Sequence, residues 1–373
     1  MSVTGIIFLG FMIRIMNAIW NGFWGPSPGA DLDALGLNSF ASAVATSGVF
    51  DDLRIGYVPY TNFLGLIYYL TVDHIFVGSA ISCFAWLVSA IYLKKSFNLI
   101  GVGGDLSKKA FLIYSLLPSS ILFTSITIRE PFQLLFVNLA IYSIFKIKIK
   151  NKIGNFFILA LSIISFGFLH GALLAFGLLL FAGFLIFPRG GFSEFKFSIK
   201  FCVFSVVSIF LVVYGFSNFG TVAYDLSGGL DNSIQEYQQS LLGVDARTHY
   251  KTDINLSGLG DLLLFLPVGY FQYLFEPFPW RVAAFSDLVL MLENLLRLYL
   301  ICRGVRVVFL SGKNNFFIIQ LIFVGYFAME LIWSIGTINW GTSVRHHIPA
   351  LGMLLLSAYA VQTPFKNARL RNG

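Results

Sequence analysis

Charge is what this chain has least of. Only 12% of its 373 residues are Asp, Glu, Lys or Arg, about half of the roughly 25% that a soluble domain spends on its surface. So few charges cannot cover a water-facing exterior. That excludes a pair of soluble domains, a coiled coil, a collagen-like rod and a disordered tail. Cysteine is also scarce. Cys83, Cys202 and Cys302 each fall inside an apolar segment at no ligand-like spacing, which reads as small buried hydrophobes and predicts neither a disulfide nor a zinc site. The N-terminus lacks a basic leader region, and its apolar stretch lacks a small-residue cleavage site, so it reads as an uncleaved first span. There is no internal repeat and no low-complexity linker.

What the chain has instead is apolar bulk: 57% hydrophobic residues, including 41 phenylalanines, and a mean hydropathy of +0.79. The expected fold is all-α and integral to a membrane, a single polytopic domain over 1–373. About 20 mostly apolar residues make a spanning helix. Candidates lie at 3–20, 75–93, 110–126, 131–147, 153–169, 171–187, 200–217, 284–301, 315–334 and 347–361, about ten spans. The stretches 58–72 and 259–275, each carrying a proline, read as helices in the outer interface, because counting either alone as a span would invert everything downstream.

The net charge of +7 suggests nucleic acid until it is mapped. In this arrangement 17 of the 25 Lys and Arg residues fall in connections on one side. These include Lys94, Lys95, Lys108, Lys109, Lys146, Lys148, Arg303 and Arg306. The positive-inside rule makes that side cytoplasmic, puts both termini there, and leaves no role for nucleic acid. Two sizeable outer elements remain, 21–74 and 218–283, with short outer loops near 127–130, 170 and 335–346. All five histidines and most acids lie there or at its boundary. Any chemistry therefore faces outward.

Four outer features carry it. Asp31 and Asp33 form a D-x-D pair before a helical pattern of Leu37, Phe40, Ala41 and Val44. One carboxylate there suits a general base beside an acceptor hydroxyl, or the pair a divalent cation; an N-cap is the plainer reading of the spacing. Arg129 and Glu130 sit where a lipid phosphate would lie, and an arginine fork binds phosphate. A snorkelling arginine beside its acid fits equally. Glu276 and Arg281 flank a stiff Pro-Phe-Pro-Trp turn whose rings suit sugar faces or an interfacial aromatic belt. Arg345, His346 and His347 open the last span. They suit an anion better than a metal, since adjacent histidines on a helix point in different directions, and helix anchoring fits as well. His170, between two spans, is a further candidate. Within the spans, Glu293 and Arg297 have pairing spacing. Arg14 costs about 2.5–3.5 kcal/mol at mid-bilayer and should find a carboxylate such as Glu330 or Asp287, or reach the outer interface.

The order of these features resembles the GT-C superfamily of integral-membrane glycosyltransferases, which use polyprenyl-linked sugars. The resemblance runs from Asp31-Leu32-Asp33 through Leu116-Leu117-Pro118-Ser119-Ser120 and Ser125 to Arg129-Glu130, over roughly the first 190 residues. Gly341-Thr342-Ser343-Val344-Arg345-His346 is similar to the end of bacterial O-antigen and exopolysaccharide polymerases. The resemblance implies an enzyme of the bacterial inner membrane with its active site towards the periplasm. Asp31 or Asp33 would activate the acceptor, Glu130 would be the second acid, and Arg129 would face the lipid phosphate. The cations Arg129, Arg281, Arg345 and His346 would suit two pyrophosphate carriers and hence a repeat-unit polymerase. A transferase adding one sugar from a polyprenyl monophosphate, or a flippase of lipid-linked oligosaccharide, is the alternative. Expected partners are lipid-linked glycans and other polysaccharide-assembly proteins. No resident cofactor is expected beyond the possible divalent cation.

Overall fold

A computed structural model describes residues 1–30, 32–51, 56–149, 152–186, 248–249, 259–310, 317–337 and 339–360. Among them there is no strand. The helices are α1 (Val3–Phe23), α2 (Leu32–Ser47), α3 (Val58–Leu70), α4 (Ile75–Leu99), α5 (Gly104–Leu116), α6 (Pro118–Phe123), α7 (Glu130–Ile149), α8 (Ile153–Leu169), α9 (Gly171–Ile186), α10 (Leu259–Phe275), α11 (Phe285–Val305), α12 (Phe317–Gly336), α13 (Trp340–His346) and α14 (Leu351–Tyr359). Four of them, α1, α4, α7 and α12, are long and apolar enough to cross a bilayer.

The other expected spans take different forms. Helices α8 and α9 are apolar but have 17 and 16 residues, about 25 Å at 1.5 Å per residue. Helix α11 has the length, yet it carries Asp287, Glu293, Arg297 and Arg303. The segment 200–217 lies outside the described residues. The last expected span is a nine-residue helix, α14, with every residue buried. It packs against α5, α7, α11 and α12, as an all-round apolar helix must. Around it run neighbouring pairs α1–α4, α4–α7, α7–α8, α8–α9 and α9–α12. One continuous apolar core joins these helices.

The third expected span, 110–126, is not one helix. It stops at Leu116, reopens at Leu117 (ψ 120°) and restarts at Pro118. Proline has no N–H to donate and clashes with the preceding turn, so the Ser115 carbonyl and the Ser119 N–H, partners in an unbroken helix, are separated. Both are satisfied from outside. Arg14 of α1 donates to Ser115 O at 2.8 Å, and Glu293 of α11 accepts from Ser119 N at 2.8 Å. The Arg14 guanidinium also donates to Thr124 Oγ1, Gly10 O and Ser120 Oγ, and it lies 3.6 Å over the Trp86 ring. Arg14 is fully buried and, contrary to expectation, has no carboxylate partner among the described residues: the carbonyls and hydroxyls of the broken helix take that place. Glu293 and Arg297 likewise do not pair with each other, because Arg297 is spent on Leu274 O and Asn294.

After α6 the chain from Thr124 to Ile128 runs buried and non-helical. Such backbone is tolerated at membrane depth only inside protein. Asn17 and Asn21 continue the Arg14 face of α1: Asn17 donates to Ser125 Oγ of this segment, and Asn21 donates to Ser79 of α4, whose hydroxyl bonds Thr127 Oγ1. Ile126 and Ile128 then enter a second, smaller core with Ala34, Leu37 and Ala41 of α2 and Tyr60, Leu64 and Tyr68 of α3. The hairpin is tight: a Cβ on Gly65 would come within 2.6 Å of Val44. The 13 residues of α3 span only about 20 Å, which agrees with a non-spanning helix.

Candidate functional site

The unwound segment ends at Arg129, and α7 begins at Glu130. The α2–α3 hairpin lies against this corner, as does the Leu169–His170 junction of α8 and α9. Helix α13 is placed beside it by its contacts with α6, α10 and α12. Its start is fixed by Asn339, whose side chain accepts from Thr342 N. Successive residues at its end then point three ways, as helical geometry requires.

Arg345 points to the acids. Its guanidinium is ion-paired with Asp33 of α2, and its Nε lies 3.6 Å from Glu130 Oε1. Residues 33, 130 and 345, from three distant segments, thus meet in one cluster. Glu130 is buried in it, whereas the Asp33 carboxylate is 59% exposed. Arg129 reaches the other way and donates to Leu169 O at 3.1 Å. Asp31 lies outside the described residues.

His346 turns inward. Its ring stacks on Trp333 at 4.1 Å, and Trp333 lies 4.5 Å from His170 on its other contact. Thr337 Oγ1 is 2.9 Å from His346 Nδ1. Burial, with the Arg129 charge adding to it, pushes the His170 imidazole down to about 3. Burial and then Arg345 hold His346 well below its usual value. Both rings are therefore neutral at pH 7 and bind by hydrogen bonds and stacking, not by charge. No known protein family, curated protein or solved structure matches the chain.

Glu276 and Arg281 find each other. Glu276 is buried, accepting from Arg281 Nη1 at 2.6 Å and from Gln272 at 3.0 Å. Arg281 lies 4.6 Å over Trp340 and also donates to His249 O. This pair braces the start of α13 from the α10 side, and Asp287 helps by accepting from Trp340 Nε1 at 3.4 Å. The structure therefore brings Asp33, Arg129, Glu130, His170, Arg345 and His346 into one neighbourhood, and sets Glu276 with Arg281 behind it. The Phe278–Trp280 stack stands on the outside, with Trp280 79% exposed. Among the described residues no three His, Cys, Asp or Glu side chains are grouped to hold a metal ion.

A second polar centre was not assembled by sequence reasoning. His347 turns away from the cluster and meets Glu330 of α12 at 2.6 Å. The pair borders a small cavity lined by Leu117, Ser119, Glu293, Arg297 and Tyr326, and closed by Leu351 and Leu354 of α14. The signal was present in the sequence: Glu330 is an acid in the middle of an apolar span, and such a residue is by default a functional candidate.

Proposed function

We propose that the protein is a membrane glycosyltransferase of GT-C type. It moves a sugar or oligosaccharide from a polyprenyl (pyro)phosphate carrier to a lipid-linked acceptor at the outer face of the bacterial inner membrane. Within that class we propose a repeat-unit polymerase of surface polysaccharide. The observation that carries the reading is the meeting of Asp33, Glu130 and Arg345. Inverting transfer needs one carboxylate to take the acceptor hydroxyl proton and cations to stabilise the departing phosphate. The cluster offers both around one guanidinium.

The electrostatics suit an exchange. Asp33 is largely exposed, and an exposed ion pair is worth about 0–1 kcal/mol. An incoming phosphate, which an arginine fork grips bidentately, displaces the Asp33 carboxylate from Arg345 and frees it as base. Glu130, buried on the other side, keeps the guanidinium in place. Ten spans with basic cytoplasmic connections belong to the same reading. It is supported by contacts between basic helix ends, where Lys94 reaches Thr4 near the N-terminus, and Lys95 and Lys146 both lie over Tyr142.

One observation favours a second reading, a flippase of lipid-linked glycan. Helices broken at membrane depth line transport sites, and α5–α6 is broken beside the polar face of α1. The test is mass spectrometry of polyprenyl-linked glycans in cells with wild-type protein, Asp33→Asn, Glu130→Gln or no protein. Single complete repeat units accumulating in the last three support the polymerase. A glycan one sugar short supports a single-sugar transferase. Identical profiles overturn the glycosyltransferase and turn attention to transport.

A further inference from the structure

The cavity beneath α13 stands apart from the outer cluster, and the proposed transfer makes no use of it. Two acids and one guanidinium border it: Glu293, Glu330 and Arg297, none more than 9% exposed. Buried charges are kept only when matched, and this count is one positive charge short. His347 shows where that charge resides. Its ring is buried against that of Tyr273, with centroids 4.6 Å apart. Its Nδ1 faces Glu330 Oε2 at 2.6 Å. A neutral ring that donated from Nδ1 would satisfy this contact and still leave the Glu330 charge unmatched. One further proton on the pair, making it imidazolium with carboxylate, completes the charge count.

We propose that Glu330 and His347 hold one exchangeable proton between them, so that the cavity is an intramembrane proton site. With the proton the pair is neutral, as imidazolium with carboxylate; without it the pair carries one negative charge. Other titratable and polar groups surround the pair. From α10 come Tyr270 and Tyr273, from α11 Glu293 and Arg297, and from α12 Tyr326. Arg345 and His346 precede it on α13, and α5, α6 and α14 present Ser119 and aliphatic side chains. Glu330 Oε1 and the adjoining Tyr326 hydroxyl make no well-formed hydrogen bond. With Ser119 they offer polar partners to water inside the cavity. The site does not depend on the glycosyl-transfer reading.

The chain has five histidines, so selective nitrogen-15 histidine labelling and solid-state magnetic resonance in lipid bilayers can read His347 directly, with His347→Gln for assignment. At pH 7 both ring nitrogens of His347 are expected to bear hydrogen in the wild type. In Glu330→Gln one nitrogen is expected to become bare, the ring reverting to a neutral tautomer. The wild-type spectrum alone decides the matter if that variant does not fold: a bare ring nitrogen at pH 7, Nδ1 or Nε2, overturns the proposal. A His347 signal that moves when choline chloride is replaced by sodium chloride at equal ionic strength overturns it as well, in favour of a metal cation.

Discussion

Replacing Arg14 by Met tests the account of the broken helix. Arg14 makes four hydrogen bonds, to Thr124 Oγ1, Gly10 O, Ser115 O and Ser120 Oγ, at 2.6 to 3.0 Å. Hydrogen bonds to a charged group contribute about 1.5–3 kcal/mol each, so about 6–12 kcal/mol of gross interaction is lost. Against this, methionine avoids the roughly 2.5–3.5 kcal/mol cost of an arginine at membrane depth. The two hydroxyls also retain acceptors in their own helix, as Thr124 does at Ser120 O. What is left without a partner is the Ser115 carbonyl, at about 1–3 kcal/mol. The net expectation is a loss of at least about 3 kcal/mol, read as the unfolding free energy on titrating SDS into mixed micelles. Arg14→Lys should fall between, since an ammonium cannot span the same four acceptors.

The cause can be separated from the size by a double-mutant cycle. Pro118→Ala restores a donor and lets Ser115 O pair again with Ser119 N–H. In that background Arg14→Met should cost at least about 1 kcal/mol less, a coupling typical of residues sharing one network. Equal costs in both backgrounds, or an Arg14→Met protein within about 0.5 kcal/mol of wild type, would refute the idea that Arg14 is there to satisfy the break.

Three further outcomes follow from the same structure. Asp33→Asn should leave unfolding within about 1 kcal/mol of wild type, as for any exposed pair, while polysaccharide product is lost; a large stability change with product retained would assign Asp33 a purely structural role. Gly352→Ala should destabilise by about 1–3 kcal/mol through overpacking, because its Cβ would lie 2.1 Å from Asn138 Oδ1; no loss of stability in the same SDS titration would mean that α7 and α14 are not held that close. Stability should also fall as pH drops below about 6.5. His170 is pushed down to about 3 and His346 lies well below its ordinary value, so between pH 6.5 and 3 the unfolded chain binds protons that the folded one refuses. Stability then rises with pH by up to about 1.4 kcal/mol per unit for each histidine, and a flat profile of detergent unfolding from pH 7 to 5 would contradict their burial.

Much of the architecture was legible because apolar runs are long-range order written locally. Helices α1, α4, α7 and α12 followed from run length, whereas the reading of α3 as a non-spanning helix came from the charge asymmetry that counting it as a span would break. The broken third span followed from neither, although Pro118 stood in view. A proline in an apolar run is compatible with a kink, and only the positions of Arg14 and Glu293 show that the break is complete. The same missing contact explains the wrong partner for Arg14: a carboxylate is the obvious mate for a buried cation, and freed carbonyls become visible only once the helix has opened. Of the last expected span the described residues show a short helix, Leu351–Tyr359, buried on every side, and such a run is as apolar facing protein as facing lipid. At the site, outer location picked out Asp33, Glu130 and Arg345, but sequence spacing could not say that Arg345 bridges the two acids. Nor could it say that Glu276 and Arg281 occupy each other. His347 and Glu330 were passed over because each was weighed alone.

The central claim is that Arg345, held between Asp33 and Glu130, receives the phosphate of a lipid-linked glycan. The most direct measurement is the lipid-linked glycan profile, by mass spectrometry, of cells making Arg345→Ala at wild-type protein level. The account predicts accumulation of the same unpolymerised carrier-linked unit that accumulates without the protein. A profile and polymer length matching wild type would contradict it.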